Sequence, residues 1–431
     1  MRYVYLLFAR AALAIAFAAP IARAQTTAIR FARLVDGTGR VVPDPVVLVE
    51  GERITNVGSG AKAIPAGAKV IDLRPLTGIP GLIDVHTHMT YYWDQKRGTQ
   101  PWSQQGRRRS AETVFLAQEN ARKTLATGVT TVRDLGASEY GDIVMRDLIN
   151  RGAMVGPRMF VAGFGLSRQR TPARQGAPPG PPRGRISELA DIPVAVQAQV
   201  DAGADWIKMY GSTGSGADVT GDETFTPDEM KAAVDAAHAA GKRIAIHSYG
   251  AQGGRDAMRA GAESVEHAVD LDDSTLTEMA ARGTYYVPTI DHNRYYAENR
   301  EQFGYTLEQA AALDAYRARN IETARRAFRS HVRFAMGSDA VFTMFGQNTR
   351  ELVWFAQIGM TPAEALATAT GNAAALLGMG QTLGALSAGY YADVVAVAGD
   401  PQKDIRVVID SVRWVMKGGA VVVDRRTRSG R

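Results

Sequence analysis

GLIDVHTHMT, residues 81–90, sets His86 and His88, two of the chain's seven histidines, at the end of an apolar run. The run reads as a buried strand, and residues two apart on a strand share a face. Two imidazoles on one face can chelate one metal ion at about 2.0–2.1 Å per bond. In a parallel barrel both rings would face inward at the carboxyl end of a strand, where barrel enzymes build their sites.

Seven further strand-like runs follow: GVTTVRDLG, GPRMFVAG, ADWIKMYG, KRIAIHSYG, ESVEHAV, TYYVPTI and RFAMGSDA. Helical patterns separate most of them. Thr226-Pro227-Asp228-Glu229 and Thr361-Pro362-Ala363-Glu364 each supply a capping threonine, a proline at the first helical position and a glutamate three residues on. Eight such units within residues 79–383 fit a (β/α)8 TIM-like barrel, typically about 250 residues before insertions. A doubly wound sheet is the alternative, but no Gly-x-Gly-x-x-Gly follows the first strand. Residues 25–78 and 384–431 read instead as short strands and turns, predicting one small β-sandwich domain built from both chain ends.

Composition narrows the chemistry. The 431 residues are 45% hydrophobic and 22% charged, ordinary for a globular protein. With no cysteine, disulfides, thiolate catalysis and cysteine-zinc sites are excluded. Residues 1–24 carry Arg2 and Arg10, an apolar AALAIAFAA, and a small-x-small site ending at Ala24, the pattern of a signal peptide. Cleavage after Ala24 predicts a periplasmic or secreted protein with no membrane association, and removes three arginines from a net charge of +6. The remaining +3 and the lack of a dense basic stripe argue against a nucleic-acid partner.

Ionisable residues gather at the carboxyl ends of the predicted strands. Lys208 sits in apolar ADWIKMY, where an isolated ammonium is costly to bury. His247 ends the fifth run, His267 the sixth and Asp339 the eighth. His292 follows the seventh run on the same side, which makes it a candidate for contacting substrate, and Tyr249 shares the inward direction of His247. The loop GLSRQRTPARQGAPPGPPRGR, residues 165–185, follows the third run and is too rich in proline and glycine for a regular element.

Together GLIDVHTHMT, WIKMYGSTGSG, IAIHSYGAQG, SVEHAVDLDD and FAMGSDAVFTMFGQN resemble the signature segments of the amidohydrolase superfamily. The closest likeness is to its binuclear branch of prolidase-like dipeptidases and ochratoxinase-type amidases. The resemblance implies that His86, His88 and Asp339 hold one divalent ion, and His247 and His267 a second. It implies a carbon dioxide-derived carbamate on Lys208 bridging the two, with zinc suited to these donors. A metal-bridging hydroxide would then attack an amide, and Asp339 would pass the proton to the leaving nitrogen. The implied substrate is a dipeptide or N-acyl amino acid, ochratoxin-like amides included, with Tyr249 helping to hold its carboxylate.

Two departures lie in substrate loops. SRQRTPARQG stands where relatives carry Gly-Gly-His-Gly, and Phe345-Gly346 where they often carry histidine before the glycine. Arg168 or Arg170 is a candidate to replace the missing histidine as a carboxylate clamp. The rival readings are a hydrolase of a cyclic amide or lactone, imidazolonepropionase-like, and a non-catalytic binding protein of the same fold. The complete ligand set argues against the second. By analogy with relatives, a homo-oligomer is also left open.

Overall fold

The computed structural model describes residues 25–105, 107–168 and 184–426. The expected signal peptide and Arg170 lie outside the described residues. The fold is mixed α/β. All eight apolar runs form parallel strands: β1 (Leu82–Thr87), β2 (Val129–Asp134), β3 (Arg158–Val161), β4 (Trp206–Tyr210), β5 (Arg243–Ser248), β6 (Ser264–His267), β7 (Tyr285–Val287) and β8 (Arg333–Phe334). They pair in the orders β3-β2-β1 and β4-β5-β6-β7-β8.

Backbone hydrogen bonds cross both seams between these groups. Tyr210 N donates to Leu166 O, and Leu166 N to Lys208 O, beside β4. On the other side Val85 N donates to Met336 O, Asp339 N to His86 O and His88 N to Ala340 O. A helix lies between each successive pair of strands, as in Ser110–Ala126 and Pro227–Ala239. The second of these begins as its sequence predicts. Thr226 Oγ1 accepts from Glu229 N, and the Glu229 carboxylate accepts from Thr226 N.

The last two strands are shorter than their apolar runs. β7 stops at Val287 because Pro288 has no N–H to offer the ladder and Thr289 turns the chain with φ 50°. Helix Ile290–Glu298 then carries His292. Asp339 lies beyond the end of β8, on a left-handed residue with φ 52°.

Strand β1 contains an irregularity on which the site depends. Its register against β2 runs Ile83 to Thr131, Asp84 to Val132, then Thr87 to Asp134, so β1 holds one extra residue between the last two pairs. Below it Ile83 and Val85 pack with Trp206, Ala245 and Val287. Strict alternation from there would send His86 and His88 the other way. The bulge returns both to the side of the site.

Two further sheets carry the chain ends. One has four strands, in the order Arg53–Ser59, Pro45–Glu50, Thr27–Arg30 and Lys69–Asp72. The other has six, with Val394–Val397 paired to Thr77–Pro80, so that the strand Thr77–Pro80 crosses the expected boundary at residue 78. Ile29, Val47 and Ile54 of the first sheet share one apolar cluster with Leu34, Val394 and Trp414 of the second. Among the described residues no helix is long and apolar enough to cross a membrane.

Candidate active site

The structure brings His86, His88, Lys208, His247, Tyr249, His267, His292 and Asp339 together around one cavity of about 310 Å³. Ligand atoms of His86, His88 and Asp339 lie within 4.8 Å of one another, a spacing that can hold a metal ion. Asp339 Oδ1 stands 3.5 Å from His86 Nε2 and 3.3 Å from His88 Nε2. Its other oxygen lies 3.2 Å from His292 Nε2. The His247 and His267 rings meet edge to face at 4.6 Å, and His267 lies 5.0 Å from His86.

The second nitrogens of three histidines are also occupied. His86 Nδ1 lies 2.7 Å from Glu266 Oε2, His88 Nδ1 3.0 Å from the Gly136 carbonyl, and His267 Nδ1 2.6 Å from Thr289 Oγ1. Carboxylate and carbonyl acceptors require the proton on Nδ1, which leaves Nε2 of His86 and His88 as lone-pair donors toward the cavity. Such orientation is what a metal ligand needs.

Lys208 is 1% exposed, and its Nζ has no hydrogen-bond partner among the described residues. Burial pushes the amine down to about 8, although Glu266 and Asp339 pull it upward. A free amine is therefore accessible near neutral pH. Burial, and then the Lys208 charge, push His86 to about 4 and His247 to about 3, so both rings are neutral. Burial opposes ionisation of Asp339, but His292, His86 and His88 outweigh it and keep the carboxyl well below its ordinary range.

Glu266 was not anticipated from the sequence. Its carboxylate receives His86, the Ser264 hydroxyl and Arg133, whose Nη2 lies 2.9 Å away with both side chains wholly buried. Arg133 also donates to Val85 O and lies over the Trp206 ring. Burial disfavours the Glu266 charge, but Arg133 and His86 bring its pKa down to about 2. The signal was present in SVEH: an acid inside an apolar strand poses the same desolvation problem as the amine of Lys208.

Arg168 does not line the cavity. Its guanidinium bonds the Glu229 carboxylate and the Thr224 carbonyl and lies over the Phe225 ring. Tyr249 does line it, stacked on His247 at 5.0 Å and on Tyr316 at 4.7 Å. Trp102, Tyr91, Tyr210 and Tyr296 give the cavity an aromatic side.

The family model for the amidohydrolase family matches residues 77–422, which span the parallel strands and every residue of the cluster. The chain belongs to the amidohydrolase family. Ochratoxinase of Aspergillus niger is 30% identical over 430 residues, 92% of this chain and 86% of that protein. A Xaa-Pro dipeptidase crystallised with methionine in its active site superposes with a TM-score of 0.83 at 30% identity, covering 92% of this chain and 99% of that one. A prolidase complexed with N-methylphosphonate-L-proline gives 0.82 at 25% identity, covering 93% and 100%. This amidohydrolase is a hydrolase of amide bonds, acting on a small-molecule substrate.

Proposed function

We propose that this amidohydrolase is an exported two-metal enzyme that cleaves the amide bond to an amino acid in dipeptides or N-acyl amino acids. In this reading the eight strands close as a (β/α)8 barrel, and the terminal sheets stack as a small β-sandwich domain. Removal of residues 1–24 leaves Gln25 as the mature N-terminus.

The observation that carries the reading is the buried Lys208 amine, without a hydrogen-bond partner among the described residues, in a cavity that five histidines and Asp339 also line. As a bare cation it repels the ions its neighbours are arranged to bind; as a carbamate it would offer them anionic oxygen donors instead. The donor set fits two divalent ions, zinc by ligand type, with His86, His88 and Asp339 on one and His247 and His267 on the other. Such ions, when bound, acidify water and polarise the scissile carbonyl.

The chain's own groups supply the rest. Asp339 accepts the proton of the attacking water and returns it to the leaving nitrogen, which an amide requires because its anion leaves poorly. His292 holds the second oxygen of Asp339 and so fixes the carboxylate plane. Tyr249 meets the substrate's carboxylate, its ring held between His247 and Tyr316.

The test is elemental analysis of purified protein, followed by a panel of dipeptides and N-acyl amino acids. We expect about two divalent ions per chain, loss of hydrolysis on chelation and recovery with zinc. Full activity in metal-free protein overturns the reading. N-terminal sequencing of the mature protein checks the export step.

A further inference from the structure

The segment between β4 and helix Pro227–Ala239 forms a narrow hairpin over the cavity. Ser212 bridges to Glu223 and Ser215 to Asp218, with Thr213 N donating to Asp222 O at 2.8 Å and Ser215 N to Asp218 O at 2.9 Å. Two glycines press it against aromatic side chains. At Gly214, φ 106°, a Cβ would stand 2.3 Å from the Tyr249 ring. At Gly216, φ 58°, it would stand 2.6 Å from the Tyr305 hydroxyl, which in turn accepts from Trp102 Nε1 at 2.9 Å. The hairpin is thus a fixed wall of the site.

Asp218 lines the cavity from this wall. Its Oδ1 accepts from Thr220 N at 2.9 Å and Thr220 Oγ1 at 2.6 Å, which holds the carboxylate in place. Its Oδ2 receives no hydrogen bond, and no cation pairs with it, among the described residues. The described lining contains no arginine, and its lysine is Lys208. Outside the histidine, Lys208 and Asp339 cluster, the wall therefore carries a single charge, and that charge is negative.

The geometry points to Asp218 as a reader of positive charge on the substrate, so that cationic peptides are taken in preference to neutral N-acyl amino acids. This rests on the amide-hydrolase reading of the same cavity and narrows it. Asp218 is solvent-exposed, but a carboxylate already held in place still forms a charge-assisted hydrogen bond to an ammonium or guanidinium. The cation has two sources, the α-ammonium of an unblocked dipeptide or a basic side chain.

Three substrates separate them: Ala-Leu, propanoyl-Leu, which lacks only the ammonium, and propanoyl-Lys. An α-ammonium also activates its neighbouring carbonyl, so the readout is the change in rate ratio between wild type and variant. We expect Asp218→Asn to lower the kcat/KM ratio of a cationic substrate to propanoyl-Leu by about tenfold, and Asp218→Lys to lower it further. Thr220→Val, which keeps the charge and the Thr220 N–H bond but loosens the carboxylate, should lower the ratio less than Asp218→Asn does. A fall in the Ala-Leu ratio assigns the α-ammonium; a fall in the propanoyl-Lys ratio assigns the side chain. Ratios unmoved in both variants, or a uniform loss on all three substrates, overturn the inference alone. Wild-type protein that turns over none of them, with metal bound, overturns the reading of the site and the inference with it.

Discussion

His86 Nδ1 and Glu266 Oε2 stand 2.7 Å apart across 180 residues of sequence, and neither side chain is more than 1% exposed. The contact ties the histidine opening the site to a carboxylate that also neutralises Arg133. Ligand orientation and internal charge balance thus share one group.

Glu266→Gln should therefore act in two ways. Losing the carboxylate on His86 should weaken metal binding about 10–100-fold. Leaving Arg133 buried without its counter-ion should cost about 3–5 kcal/mol of stability. Zinc competition titrations and thermal melts measure the two effects. The double variant with Arg133→Met should regain stability without regaining affinity; recovery of both would show that Glu266 serves the core alone.

Lys208 is tested by substitution and rescue. Arginine preserves charge and length but stays protonated and cannot take up carbon dioxide, so Lys208→Arg should fold yet bind neither full metal nor substrate productively. Lys208→Ala should lose metal and activity together, with partial return on adding formate or acetate. An active arginine variant holding two ions would show the bridge to be unnecessary.

The pH dependence of loading follows from the same amine. Lys208, at about 8, is mostly charged below that value and mostly free above it. Carbamylation requires the free amine, so lowering the pH slows it. At fixed dissolved carbon dioxide, zinc reconstitution of the metal-free protein should speed up by about tenfold per pH unit from 6 toward 8, then level off. His86 at about 4 and His247 at about 3 are already neutral throughout this window. Burial opposes the charge on His88, but Asp339 holds that ring above its ordinary value, so it also sheds a proton on binding metal and steepens the slope. A rate independent of pH across it would remove the amine from the loading step.

Tyr249→Phe retains the ring packed between His247 and Tyr316 and deletes only the hydroxyl. If that hydroxyl holds a substrate carboxylate, kcat/KM should fall about tenfold on the free acid, a loss of about 1.4 kcal/mol. Little change should appear on the C-terminal amide. Equal losses on both would place the hydroxyl elsewhere in the reaction.

Much of this site was legible in the sequence because burying an ion is costly and leaves a visible mark. Lys208 in ADWIKMY and the histidines closing apolar strands stood out for that reason. Glu266 carried the same mark but was masked by its neighbour His267. Parity gave the shared direction of His86 and His88, but the bulge in β1 that sends them to the cavity came from register, which needs the partner strand. Asp339 was legible as a residue but not as a left-handed turn beyond a two-residue strand. Arg168 showed charge in a loop; that Glu229 engages it depends on a helix sixty-one residues away.

The pairing of Thr77–Pro80 with Val394–Val397 sets an order of events for the nascent chain. The strand that leads into β1 lacks one of its sheet neighbours until more than three hundred further residues have been synthesised. At roughly 5–20 residues per second, the first part of the molecule waits many seconds with an open sheet edge. Such a chain can collapse early but cannot lock early. Under the export proposed above, that delay would favour passage through a membrane, since the topology keeps the front of the chain pliable until the back arrives.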